Sequence, residues 1–201
     1  MTEPVNAFLF RGEARGYWRL LSRGADKASI VHRRHGGHRY DFGLDDAGFA
    51  RRSGGIVNPQ ERSLGAGMWL YRFVDSRSYS RPGRDTVYGN WWVDHDTWQL
   101  LAQASHEHGL GLQQVAQNYL ALPDEWGDRM RVARGRLANA IQVWAGQGGV
   151  ANDSRGSAHT PAQHNKAVQL FLPGQPDLVA EAFGGRTHVE CIYARDVKNC
   201  W

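Results

Sequence analysis

At 201 residues, with 41% hydrophobic and 22% charged side chains, the chain is long enough to bury one full core and too apolar to be disordered. No apolar run approaches the roughly 20 residues of a membrane span. A net charge of +4 favours polyanionic partners such as phosphates or nucleic acid over a basic surface or ligand.

The N-terminus lacks the basic, apolar and small-residue succession of a Sec-type signal, so synthesis in the cytosol is expected, with signal-independent delivery to a target cell left open. Two cysteines, Cys191 and Cys200, are too few for a zinc framework, and reduced, inert thiols are expected. Eight Trp supply core mass and also suit stacking on flat heteroaromatic ligands.

In chain order, residues 1–67 read as a basic, Gly-rich subdomain or adaptor. Ala7-Phe-Leu-Phe10 reads as a strand and Tyr17-Trp-Arg-Leu-Leu21 as a short helix. Residues 31–39 carry His32, His35 and His38 among three Arg. Gly36-Gly37 argues against a helix there, and the neighbouring guanidinium groups would repel a cation. A solvated basic loop is expected rather than a metal site. With Arg51-Arg52 it can meet phosphates or an acidic partner.

Residues 68–201 read as a second unit. Met68–Val74 is an aromatic-rich buried strand, Ser76–Gly89 a polar loop, and Asn90-Trp-Trp-Val93 a short strand. Asp96 or Thr97 caps a helix running to His108, with Gly109 as its stop; His106 and His108 complement its dipole. Gln114–Leu122 reads as a strand closed by Pro123, and 124–146 as a strand, a helix or both. Residues 147–161 read as a mobile loop. Lys166–Gly174 and Thr187–Ala194 then form two late strands, taken as paired, the first ending at Pro173-Gly174 with Gln169 at its head. Helical segments are too few for alternating βαβ units, so the fold class is α+β with an antiparallel-leaning sheet.

This order of parts resembles the ADP-ribosyltransferase superfamily over about Trp69 to Val197. Leu70-Tyr-Arg-Phe73 is similar to the family's Arg-bearing first strand and Gly89-Asn-Trp-Trp-Val93 to the strand walling the nicotinamide pocket. Gln169-Leu-Phe-Leu-Pro-Gly174 is similar to the strand carrying the catalytic Glu, and His188–Ile192 to the closing strand. Two departures stand out: no Ser-Thr-Ser occurs on the middle strand, and Ala167 and Gln169 occupy the Glu-x-Glu positions. Arg11, in Phe8-Leu-Phe-Arg-Gly-Glu-Ala-Arg15, is a rival for the first-strand Arg.

The resemblance implies a split β-sheet and NAD as substrate, without a metal. It implies a mono-ADP-ribosyltransferase or NAD glycohydrolase of bacterial effector or toxin type. Its acceptor would be a protein or nucleic acid, with a neutralising partner protein possible. Breaking the nicotinamide–ribose bond passes through an oxocarbenium-like state. Arg72 would hold the pyrophosphate with its forked donors. Trp91 and Trp92 point to opposite faces of a strand, so one would wall nicotinamide, with Tyr71 and Tyr88 as further contacts. Gln169 can bond a ribose hydroxyl but brings no charge; Glu190, from the neighbouring late strand, is the alternative carboxylate. Two readings compete with the enzyme: a nucleic-acid-binding protein or nuclease, and a non-catalytic interaction module on the same scaffold.

Overall fold

The computed structural model describes residues 2–24, 31–34, 37–40, 54–79, 87–152, 157–161 and 166–199. The protein is α+β. Its centre is an antiparallel sheet of seven strands: β3 (Gln60–Leu64), β4 (Trp69–Val74), β5 (Trp91–Asp94), β6 (Arg131–Arg136), β7 (Ile141–Gly146), β10 (Gln169–Phe171) and β11 (Val189–Tyr193). Their spatial order is β11-β6-β4-β5-β10-β7-β3. Two small antiparallel pairs stand apart, β1 (Val31–Arg34) with β2 (Gly37–Tyr40), and β8 (Ala151–Asn152) with β9 (Ala158–His159). A one-turn helix, α2 (Ser76–Tyr79), follows β4.

Alternation along the strands divides the core between two faces. One face carries Leu70, Trp92, Ala133, Val143 and Leu170, which pack with Val179, Ala180 and Phe183 from helix α5 (Pro176–Ala182) and its end. The other face is covered twice. Helices α3 (His95–His108) and α4 (Leu112–Leu120) bring Trp98, Leu101, Val115 and Leu120 onto Tyr71, Val93 and Val132. Helix α1 (Gly12–Ser22) and the turn before it bring Phe10, Tyr17 and Trp18 onto Trp144 and Phe171. No helix among the described residues is long and apolar enough to cross a membrane.

The boundary expected at Gly67 falls between β3 and β4, two strands of one sheet. β3 pairs with β7 over five residues, and α1 shares a hydrophobic cluster with β7 and β10. Ala7–Phe10 is a 3-10 turn rather than the expected strand. The cause is Asn6, whose side chain does the pairing itself: Nδ2 donates to the Gln142 carbonyl at 2.8 Å, and Oδ1 accepts from the Gln142 amide at 2.8 Å. With β7 engaged at Asn6, the chain turns and sends Phe10 against Trp144.

Helix α4 also replaces an expected strand. Leu112, Val115, Ala116, Tyr119 and Leu120 follow the spacing i, i+3, i+4, i+7, i+8, a helical stripe that packs beneath Trp98 and Leu101. Helix α3 runs to His108 and ends at Gly109 as read, but its cap is Asp94, whose Oδ1 accepts from the Thr97 amide at 3.0 Å. The segment 124–146 holds a short 3-10 turn and two strands, β6 and β7. In place of the expected loop, Val31–Arg34 and Gly37–Tyr40 form a strand pair with His32 opposite Arg39 and His38 opposite Arg33. His35, Arg51, Arg52 and Cys200 lie outside the described residues.

β10 and β11 are not neighbours: β6, β4 and β5 stand between them. β11 is an edge strand on β6, whereas β10 is an interior strand between β5 and β7.

The lead into β6 is tied to the end of β4 by a carboxylate. Asp128 accepts from the Ser76 amide at 2.9 Å, from the Ser76 hydroxyl, and from the Met130 amide at 3.1 Å. Burial alone would raise its pKa, but these hydrogen bonds outweigh burial and the nearby Asp75, leaving it below the usual carboxylate range. A carboxylate lowered in the folded state stabilises the protein above its unfolded pKa, and that stabilisation is lost as pH falls through the folded value. Asp128→Asn is therefore predicted to lose about 1 kcal/mol at neutral pH, the low end for a charged acceptor because the site is half open to water. In urea titrations the gap from wild type should close below about pH 4.

Candidate functional site

The β4–β5 ladder contains two paired positions, Leu70 with Asp94 and Tyr71 with Val93. On its other side β4 pairs with β6 over six positions, through Val74. Beyond Tyr71 the pairing with β5 stops, and the Trp91 carbonyl accepts from Arg72 Nη1 at 2.8 Å instead. A side chain thus occupies the place where a ladder would continue, and a cleft of about 550 Å³ opens there.

Three walls surround it. The sheet supplies Tyr71, Arg72 and Phe73 from β4, Trp91 and Val93 from β5, and Gln169 and Phe171 from β10. The segment after α4 supplies Ala121, Leu122, Trp126 and Arg129. The N-terminal layer supplies Leu21, Gly24, Gly54 and Gly55.

Arg72 is half-buried, and the loss of solvent around its guanidinium pulls the pKa down to about 10, which leaves it charged at neutral pH. Gly89 makes room for it: a Cβ there would lie 2.2 Å from Arg72 Nη2. Trp91 stands edge-on to Phe171, ring centroids 4.9 Å apart at 68°, forming an aromatic corner of the cleft. Asn90 holds the start of β5 in place, its Nδ2 donating to the Leu172 and Gly174 carbonyls at 2.6 and 3.0 Å.

Gln169 is buried, and its Nε2 donates to the Leu120 carbonyl at 2.7 Å. Gly148 permits this approach, since a Cβ there would sit 2.5 Å from Nε2. The amide ties the head of β10 to the end of α4, a task a carboxylate cannot perform because it has no proton to donate. Tyr71 stacks on Trp98 at 4.5 Å and 9°, and its hydroxyl lies 3.0 Å from His95 Nδ1.

The remaining sequence-derived candidates stand elsewhere. Trp92 lies in the opposite core against Phe183, with its indole N–H donating to the Gly89 carbonyl at 2.6 Å. Tyr88 is in that same core, bonded to the Arg186 carbonyl, and burial raises its pKa. Glu190 projects from β11 to an ion pair with Arg134 at 2.9 Å, 61% exposed and outside the cleft. Arg11 is a surface residue paired with Glu3. The structure therefore unites Tyr71, Arg72, Trp91 and Gln169 and leaves Tyr88 and Glu190 apart; Trp92 borders the cleft from a side chain buried in the core.

Sequence reasoning missed Asp75, Arg129, Trp126 and Phe171. Asp75 follows the β4 segment by one residue and belongs to no motif that marks it. Arg129 needed the fold: its side chain is 9% exposed, bonded to the Pro123 carbonyl and to Asp124, with Nε lacking a hydrogen-bond partner among the described residues. Among those residues no group of three or more His, Cys, Asp or Glu is placed to hold a metal.

Two guanidinium groups, one carboxylate and a rim of aromatic rings in a partly apolar cavity suit a ligand that is both anionic and flat. No protein-family model matches the chain, and no curated protein matches it in sequence.

Gln169→Glu is predicted to be destabilising by about 1–3 kcal/mol at neutral pH, because a carboxylate would face the Leu120 carbonyl with no donor between them. Burial raises the pKa of such a carboxyl, so the loss should shrink in acid, where the protonated group donates again. Denaturant titrations at pH 5 and pH 7.5 measure both effects.

Proposed function

We propose that this cleft binds NAD and that the protein cleaves its nicotinamide–ribose bond, as a mono-ADP-ribosyltransferase or an NAD glycohydrolase. The observation that carries the reading is the meeting of Arg72, Trp91 and Gln169 around one cavity at the β4–β5 opening. The volume of about 550 Å³ lies in the range of small-ligand sites. Arg72 offers a fixed positive charge to the pyrophosphate, and the Trp91–Phe171 corner offers a flat wall to nicotinamide. The β4–β5 ladder, only two pairs long within one seven-stranded sheet, is the feature that supports the split sheet implied by the family resemblance. In the transferase form the acceptor is a protein or nucleic acid, as expected of a delivered effector; in the glycohydrolase form it is water.

The engagement of Gln169 with Leu120 favours a second reading, a cleft that holds the dinucleotide without turning it over. Calorimetric titration with NAD and chromatographic detection of free nicotinamide separate the two. Saturable binding with nicotinamide release is the expected result, and binding without release selects the second reading. Arg72→Ala should weaken NAD binding at least tenfold. Gly89→Ala should do the same by displacing the guanidinium, with near-native circular dichroism in both variants. A protein that gives no heat with NAD and releases no nicotinamide contradicts both readings.

A further inference from the structure

The resemblance leaves the reaction without a carboxylate, since Gln169 is uncharged and Glu190 is remote from the cleft. The geometry points to Asp75 as the carboxylate that faces the ribosyl cation, an assignment that rests on the NAD-cleaving reading. Asp75 is the one carboxylate among the described residues that line the cleft. It lies just past the end of β4, three residues beyond Arg72, in the same cleft as Gln169 of β10.

Two donors meet one of its oxygens, and the Asp128 carboxylate lies close enough to repel it. Oδ1 accepts from the Asp128 amide at 3.2 Å and from Arg77 Nε at 3.1 Å. The side chain is 13% exposed whereas Arg77 is 66% exposed, so that ion pair is screened by solvent. Gly127 gives it space: a Cβ there would strike Asp75 Cβ at 2.5 Å. Two backbone anchors, the β4 end and the Asp128 amide, therefore fix the carboxylate before any ligand arrives, the condition under which electrostatic stabilisation is most effective.

In the step so assigned, the bond between ribose C1′ and the nicotinamide nitrogen breaks and its electron pair leaves with neutral nicotinamide. Asp75 stays ionised and opposes the positive charge on the ribose. An oxygen of water or of the acceptor then bonds to C1′ from the vacant side, and its proton passes to solvent.

The test compares wild type with Asp75→Asn, Asp75→Glu and Glu190→Gln for NAD affinity, KM and kcat of nicotinamide release, with kcat followed from pH 4 to 8. Asp75→Asn keeps an oxygen acceptor for Asp128 and Arg77 but removes the charge. It should bind NAD with near wild-type affinity while kcat falls about 100-fold or more. Asp75→Glu should release more nicotinamide than Asp75→Asn. Wild-type kcat should decline in acid as a carboxylate takes a proton, and that limb should be absent from Asp75→Asn. Full turnover by Asp75→Asn, or loss in Glu190→Gln in its place, overturns the assignment. If Asp75→Asn does not fold, the wild-type profile decides, since a kcat indifferent to carboxylate protonation overturns it too. Wild type that binds NAD without releasing nicotinamide overturns the Asp75 assignment and the turnover reading while sparing the binding reading; no binding at all removes every one of them.

Discussion

A single hydrogen bond organises the functional half of this molecule: Arg72 Nη1 to the carbonyl of Trp91. β4 is fully paired on its β6 side, so the strand cannot move away as a whole. On the β5 side the ladder ends after Tyr71, which would leave a backbone acceptor without a partner inside the protein. The guanidinium fills that role and keeps its charge in doing so. Because the strands are held apart by a side chain rather than joined by their backbones, there is an opening in the sheet. Gly89 follows from the same constraint, for a Cβ there would displace the planar group from its place.

The rest of the chain braces that opening. Gln169 couples β10 to the end of α4 through Leu120, and Thr97 couples it to the start of α3 by bonds with the backbone of Val168 at 3.0 and 3.3 Å. Asn90 fastens β5 to the Pro173-Gly174 turn, while Asp128 and Asp75 lock the far end of β4 to the lead into β6. Buried donors and acceptors are thus satisfied by specific side chains around a cavity that would otherwise expose them, and each bond made within the low dielectric of the interior is costly to leave open. Residues 54–55 and the end of α1 complete the enclosure, which explains why the N-terminal layer packs on β7 and β10 instead of standing free.

Much of this was legible in the residues. The apolar runs of β4 and β5 and the stop at Gly109 are local signals, and local chemistry decides them. The alternation of Trp91 and Trp92 across β5 is legible for the same reason. Other features depend on distant partners. Ala7–Phe10 has the composition of a strand, but Asn6 takes the backbone of β7 first. The helical stripe of α4 is as regular as its apparent strand run, and only Trp98 and Leu101 above it settle the choice. Adjacent position in the sequence suggested that β10 and β11 pair, whereas three strands separate them in the sheet. Asp75 and Arg129 carry no motif; they matter because a carboxylate one residue past a strand and a buried guanidinium meet at the same cavity.

The central claim is that the opening beside Arg72 is where a dinucleotide rests. A crystal structure of the protein grown with NAD tests it most directly. Density for the ligand between the ends of β4 and β5, its phosphates near Arg72 and a ring against Trp91, is the predicted result. A ligand bound elsewhere, or a β4–β5 ladder running unbroken past Tyr71 with no cleft, would contradict it.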